Sequence, residues 1–213
     1  MLFRSFIRLG ERHQPAGTLQ QVNIHDIIAT SESRMCSIIA GIPGAAVKDV
    51  MIENVQLISH SAGDFDQPLD AVPENTRTYP ENRMFGPVLP ASGFYIRHAS
   101  GIRLYNIRLE AADGEKRPFL AADDVQGLVV KDAGITDRQA SYPFVYRLRN
   151  IKQGLIVAPA FLPQFDALVK VEGANTADIT IQPPPGSFNK GQPVLHGPEV
   201  KKAAVGVYTA PLR

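Results

Sequence analysis

The chain has 213 residues, 22 basic against 21 acidic, with a formal net charge of +1. That length allows one large domain or two small ones, and the balanced charge excludes the basic footprint of a nucleic-acid or polybasic membrane binder. Seventeen glycines and 17 prolines announce many turns, and the lone Cys36 excludes an internal disulfide framework.

In chain order, "MLFRSFIRLGERH" has too short an apolar run and too many arginines for a signal peptide. No later stretch approaches the roughly 20 apolar residues of a membrane span. The expectation is a soluble chain with no membrane or nucleic-acid partner. The first apolar segment, "FIRL" at Phe6, is followed by "VNIHDIIA" from Val22. "SIIA" at Ser37 follows Cys36, which reads as a buried thiol. Next come "VMIENVQL" from Val50, "FYIR" at Phe94, "IRLYNIRL" from Ile102, "FLAA" at Phe119 and "LVVKDAGI" from Leu128. "FVYR" at Phe144, "LIVAPAFL" from Leu155, "LVKV" at Leu168 and "ITIQPPPG" from Ile179 continue the pattern in degenerate form.

The longer phrases recur at steps of 28, 26, 27 and 24 residues, with one interval of 52 between Val50 and Ile102. Their apolar residues alternate, as in Val22/Ile24, Val50/Ile52, Ile102/Leu104 and Leu128/Val130, and period two means strand. Each unit therefore holds at least two short strands, and no segment offers an amphipathic helix of about ten residues. Short strands at this period predict a solenoid, because a single coil cannot bury its own apolar face. A leucine-rich repeat would place its Asn three residues after the last inward Leu, whereas the polar residue here follows after two. The expected fold is all-β, a right-handed parallel β-helix of about six coils. Coils span 1–185, a long insertion occupies 59–92, Pro183 to Pro185 end the stack, and 186–213 form a cap or tail.

One polar column reads Asp26, Asn54, Asn106, Asp132 and then Pro159. Asn and Asp tolerate a left-handed bend and bond to neighbouring turns, so the column is expected to be a turn ladder. A metal site of stacked Asp and Asn is the functional rival. His13, His25, His60 and His196 show no ligand spacing, and no metal or cofactor is expected. The insertion is long enough to be a functional loop. Its Met84, Phe85, Val88 and Leu89 suit packing back onto the solenoid. Glu74, Arg77, Tyr79, Glu81 and Arg83 suit sugar hydroxyls and carboxylates, or simply solvated charge.

The combination "FIRLGER", "IIAGIPGAAVKDVMIENVQL", "VPENTRTYPENRMFG", "LPASGFYIRHASGIRLYNIRLE" and "RPFLAADDVQG" resembles the downstream half of bacterial proteins related to glycoside hydrolase family 28. That family contains the polygalacturonases and related pectin-degrading enzymes, built on a right-handed parallel β-helix. The resemblance covers residues 3 to 135. It implies inverting hydrolysis of α-linked galacturonosyl or rhamnosyl bonds, with two carboxyls about 6.5–9.5 Å apart. The family's Asn-Thr-Asp and Gly-His-Gly motifs are absent here, and "RLG" stands where Arg-Ile-Lys is expected, Arg8 matching its arginine and Gly10 replacing its lysine. Asp123 and Asp124 lie downstream of Arg8, the wrong side for the catalytic pair, and read as a turn pair. No catalytic residue is therefore assigned. The resemblance implies a C-terminal portion of an enzyme, inactive alone, from a family that is usually exported. An uncapped N-terminal coil bearing Phe3, Phe6 and Ile7 would then invite self-association.

Arg8, Arg97 and Arg147 follow the first strand of their units; they either form an outward cationic strip for carboxylates or are solvated or paired with Asp and Glu on adjacent coils. Arg8, Tyr79, Glu81, Arg97 and His98 are the candidate substrate-binding residues, and an acidic polysaccharide or oligosaccharide is the expected partner. A non-catalytic carbohydrate-binding β-helix and a purely structural solenoid remain the alternatives.

Overall fold

The computed structural model describes residues 4–7, 16–63, 67–78, 81, 84–137, 140–184 and 192–209. Among the described residues eleven strands run in chain order: β1 (Arg4–Phe6), β2 (Gln20–Ser31), β3 (Ser37–Ala40), β4 (Val47–Ser59), β5 (Phe94–Glu110), β6 (Leu120–Ile135), β7 (Ser141–Val157), β8 (Gln164–Glu172), β9 (Ala177–Gln182), β10 (Gln192–His196) and β11 (Val205–Val207). Every pairing between them is parallel. The molecule is a parallel β-helix of about seven turns.

In β5, β6 and β7 the expected short strands of a unit run on as one long strand folded at fixed corners, whereas β3 and β4, β8 and β9, and β10 and β11 remain separate strands. Within β5 the chain bends at His98, Gly101 and Asn106, whose φ values are +47°, +65° and +45°. These bends divide the strand into four segments, 94–97, 99–100, 102–105 and 107–110, each lying on its own face of the coil. Equivalent corners recur in the neighbouring strands. Gln21, Asp49, Gly101, Gly127, Gln153 and Asp178 form one left-handed column; His98, Asp124, Asn150 and Gly173 form another. Left-handed backbone disfavours most side chains, which is why Gly, Asn and Asp dominate these positions. At Gly101 a Cβ would stand 2.5 Å from Asp49 Oδ1, so glycine is required twice over.

The third left-handed column contains Asp26, Asn54, Asn106 and Asp132, with φ from +45° to +56°. Asn54 Nδ2 donates to Asp26 Oδ1 at 3.1 Å, and Asn106 Nδ2 donates to Asn54 Oδ1 at 3.0 Å. Each amide thus bonds the turn before it. The column continues to Ala158, not to Pro159, because Leu128 pairs with Gly154 and Lys131 with Val157. The frame set on Leu155 is one residue late: Ile156 is buried while Leu155 and Val157 face outward. A one-residue slip exchanges the two faces of a strand, and Gly154 hid the true frame by filling an inward position with no side chain.

Inside the coils, Val50, Ile52, Val55 and Leu57 stack on Ile102, Leu104, Ile107 and Leu109, all 2% exposed or less. Each such burial contributes roughly 1.5–3 kcal/mol. At the N-terminal end, β2 pairs only with β4 among the described strands, and Val22, Ile24 and Ile27 are half-buried. Phe6 packs against Phe85 with ring centroids 6.0 Å apart, and Ile7 is buried, whereas Phe3 lies outside the described residues.

One boundary differs from expectation. Residues after Pro185 do not simply cap the stack: β10 pairs with β8 and β11 with β9, adding a further turn. Pro183 and Pro184 directly follow β9 and cannot donate to a ladder. The insertion after β4 closes over the outside of the first face. Met84, Phe85 and Leu89, with Leu69 of a 3-10 turn (Leu69–Ala71), make a second core against Ile38, Ala40, Tyr95 and Ala121. Cys36 is buried there, and burial pushes its thiol up to about 12.

Glu115 and Arg117 brace the insertion's far end, both almost wholly buried. Arg117 donates Nε to Glu115 Oε1 at 2.9 Å and Nη2 to Oε2 at 2.6 Å. Its Nη1 reaches the carbonyls of Arg34 at 2.6 Å and Leu89 at 3.3 Å. Two stability losses are expected, read by thermal or denaturant melting. Asn54→Leu removes two ladder bonds and places a branched side chain in left-handed backbone, costing about 1–3 kcal/mol. Glu115→Gln strands a buried guanidinium charge and costs about 3–5 kcal/mol. An unchanged midpoint in either variant contradicts the corresponding role.

Candidate functional site

The outer side of the first face carries the expected arginines, but two residues out of line. Register pairs Arg97 with Asp123, Arg149 and Glu172, whereas Arg147 pairs with Ala121 and lies level with Tyr95. Anchoring each unit on its Phe set the frame wrongly, because Phe94 aligns with Leu120 and Tyr146 rather than with Phe119 and Phe144. The row is alternately charged and largely neutralises itself.

The arginines are also engaged by the chain rather than open. Arg97 is 7% exposed, gives Nη1 to the Val72 carbonyl at 2.8 Å, and pairs through Nη2 with Glu74. Arg147 is equally buried and grips Glu172 with Nε and Nη2 at 2.6 and 3.1 Å, while Nη1 reaches the Gln67 carbonyl at 2.9 Å. Arg149 Nη1 donates to Asp123 Oδ2 at 3.0 Å, and Asn150 Nδ2 donates to Asp123 Oδ1 at 3.3 Å. The cationic strip therefore fastens the insertion to the coils. Among the sequence candidates, Arg97 and His98 come together, Glu81 is exposed and apart from their contacts, and Arg8 and Tyr79 lie outside the described residues.

His98 sits at the first corner with Nδ1 2.6 Å from Asp124 Oδ2 and Nε2 3.1 Å from both Glu74 oxygens. His98 therefore joins Glu74 of the insertion to Asp124 of the next coil. Sequence reasoning placed Asp124 at a turn, which it occupies, but missed its histidine partner. The 26-residue step from His98 to Asp124 was the available signal.

An open groove of about 660 Å³ lies beside this corner. Lys48, Ser100, Gln126 and Lys152 stand on successive coils in one register column. They line the groove with His98, Asn150 and Asn175. At about 4.8 Å per rung, the two lysines are roughly 14 Å apart along the stack. Small residues such as Gly44, Ala45 and Ala46 form part of its wall. This polar, cation-ended trough was invisible until the frame was known. A second cleft of about 500 Å³ adjoins it through Asn150 and Asn175 and is walled by Asp70, Arg149 and Glu199.

The site's shifted carboxylates do not suit proton donation. Burial raises Glu172, but the bonds and charges of Arg147 and Lys170 outweigh it and hold the carboxyl below its ordinary value. Glu199 is held below its own mainly by the Gly173 N–H, 2.6 Å away. Among the described residues no group of His, Cys, Asp and Glu is arranged to hold a metal ion.

A depressed folded-state pKa stabilises the fold above the unfolded value and loses that stabilisation as pH falls through the folded value. Glu172→Gln is therefore expected to lower stability by about 1–2 kcal/mol at neutral pH, a value reduced by partial solvent screening. The gap between parent and variant should close on acidification below about pH 4.5. A gap that persists in acid, measured by melts across pH, contradicts the assignment.

Comparison with models of known protein families, with curated proteins and with solved structures found no match.

Proposed function

We propose that this chain is the polysaccharide-binding part of a polygalacturonase-type glycoside hydrolase, and that it holds an acidic, pectin-like chain without cleaving it alone. The observation that carries this reading is the register column Lys48, Ser100, Gln126 and Lys152 in an open groove along the stack. Amide and hydroxyl groups there match sugar hydroxyls, and the terminal lysines match carboxylates spaced along an extended polymer. The motif resemblance over residues 3 to 135 supplies the substrate class. Lack of the family's Asn-Thr-Asp motif, together with carboxylates already committed to Arg97, Arg147 and Arg149, supports binding without hydrolysis. A purely structural solenoid is the second reading, favoured by the insertion that covers the outer first face.

Calorimetric titration with galacturonate oligomers should show binding by the parent chain. Lys48→Glu combined with Lys152→Glu should weaken it by at least about tenfold, equivalent to ~1.4 kcal/mol. A reducing-sugar assay on polygalacturonate should stay at background. Absence of binding, or binding indifferent to both charge reversals, rejects the groove.

A further inference from the structure

Beneath the insertion, two buried polar atoms on the first face find no hydrogen-bond partner: Tyr95 Oη and Arg97 Nε. The Tyr95 residue is wholly buried and the Arg97 side chain is 9% exposed. Buried donors left unmatched are costly and call for an explanation. Neighbouring acceptors are already committed. Asp123 Oδ2 lies 3.8 Å from Arg97 Nε, beyond hydrogen-bond reach, and it receives Arg149. Glu74 meets Arg97 at Nη2 and His98 at Nε2. Tethered through the insertion, its carboxylate leaves Nε untouched, so it does not make the side-on, two-nitrogen contact that a guanidinium offers a carboxylate. Its side chain is 35% exposed, so solvent reaches this carboxylate from outside. The Tyr95 phenol lies beside Arg97, close enough for the guanidinium to act on its oxygen although no hydrogen bond of ordinary geometry joins them, and within reach of Asp123 and Glu74.

We propose that Arg97, His98 and Tyr95 form a binding site for the carboxylate group of an exogenous ligand, and that Glu74 is the tethered stand-in this ligand displaces. An incoming carboxylate bridges Arg97 Nε and Nη2, takes the His98 Nε2–H, and brings an acceptor into the neighbourhood of the Tyr95 hydroxyl. The insertion remains attached at Val72 and Gln67, whose carbonyls hold Arg97 and Arg147. Displacement therefore releases one contact and does not unfold the cover. The site shares His98 with the lining of the axial groove but needs neither Lys48 nor Lys152.

Chemical rescue tests it. Glu74→Ala, with Glu74→Gln as a second variant that keeps the side chain's size, should melt below the parent. Acetate should restore most of the lost midpoint, and chloride at equal ionic strength should not. Acetate should also bind Glu74→Ala about tenfold more tightly than the parent, since no internal carboxylate competes. A parallel arm with monomeric galacturonate distinguishes a sugar-borne carboxylate from a small free one; rescue by either supports the site. Adding Arg97→Met should abolish rescue, while Lys48→Glu with Lys152→Glu should leave it intact, which separates this site's failure from that of the groove. Equal effects of acetate and chloride in both variants, or rescue that survives Arg97→Met, overturn the proposal.

Discussion

The architecture depends on left-handed corners that stack in register. Each coil turns at residues such as His98, Gly101 and Asn106, and each corner sits over its counterpart on the next coil. A corner one residue early or late would rotate the following segment and expel its apolar side chains. Parallel backbone pairing then fixes the coil spacing, and the amide ladder through Asp26, Asn54 and Asn106 locks one corner against sliding. Burial supplies the bulk of the stabilisation, and the corners decide which side chains are buried.

This constraint also explains how a long insertion is tolerated. Val50 pairs directly with Ile102 although 52 residues separate them, so the insertion leaves and re-enters a coil whose own path is unchanged. Loop-closure entropy grows slowly with length, and the second core around Phe85, Leu89 and Tyr95 offsets it. Charged rows on the first face provide the remaining attachment. Arg97, Arg147 and Arg149 work as fasteners, and the groove beside the His98 corner is left open because its column, from Lys48 to Lys152, lies outside the insertion's footprint.

Much of the fold was legible from residue order because two signals coincided: alternation within strands and a polar residue two places after the second inward one. Asn54, Asn106 and Asp132 are at left-handed corners for the reason their side chains suggest. The frame failed where the repeat uses an uninformative residue. Gly154 fills an inward position without a side chain, and Phe119 and Phe144 precede the first-face register by one and two residues. The same error moved Arg147 into line with Arg97. Candidate-site chemistry was less legible still. Which carboxylate meets which arginine depends on coil-to-coil register and on the insertion's return path, as in Glu74 with Arg97 or Glu172 with Arg147. Neither is encoded within a single phrase.

Engineered cross-linking across the insertion measures the central stacking most directly. Glu53 and Tyr105 are register partners on adjacent coils, close enough at about 4.8 Å for a disulfide between their positions. The buried Cys36 thiol supplies little thiolate to compete. With Glu53→Cys and Tyr105→Cys together, mild oxidation should give an intramolecular disulfide in folded protein. A pair that stays reduced, while Glu53→Cys cross-links instead to a cysteine placed at Arg108 or Lys131, would contradict coil-on-coil register across residues 59–92.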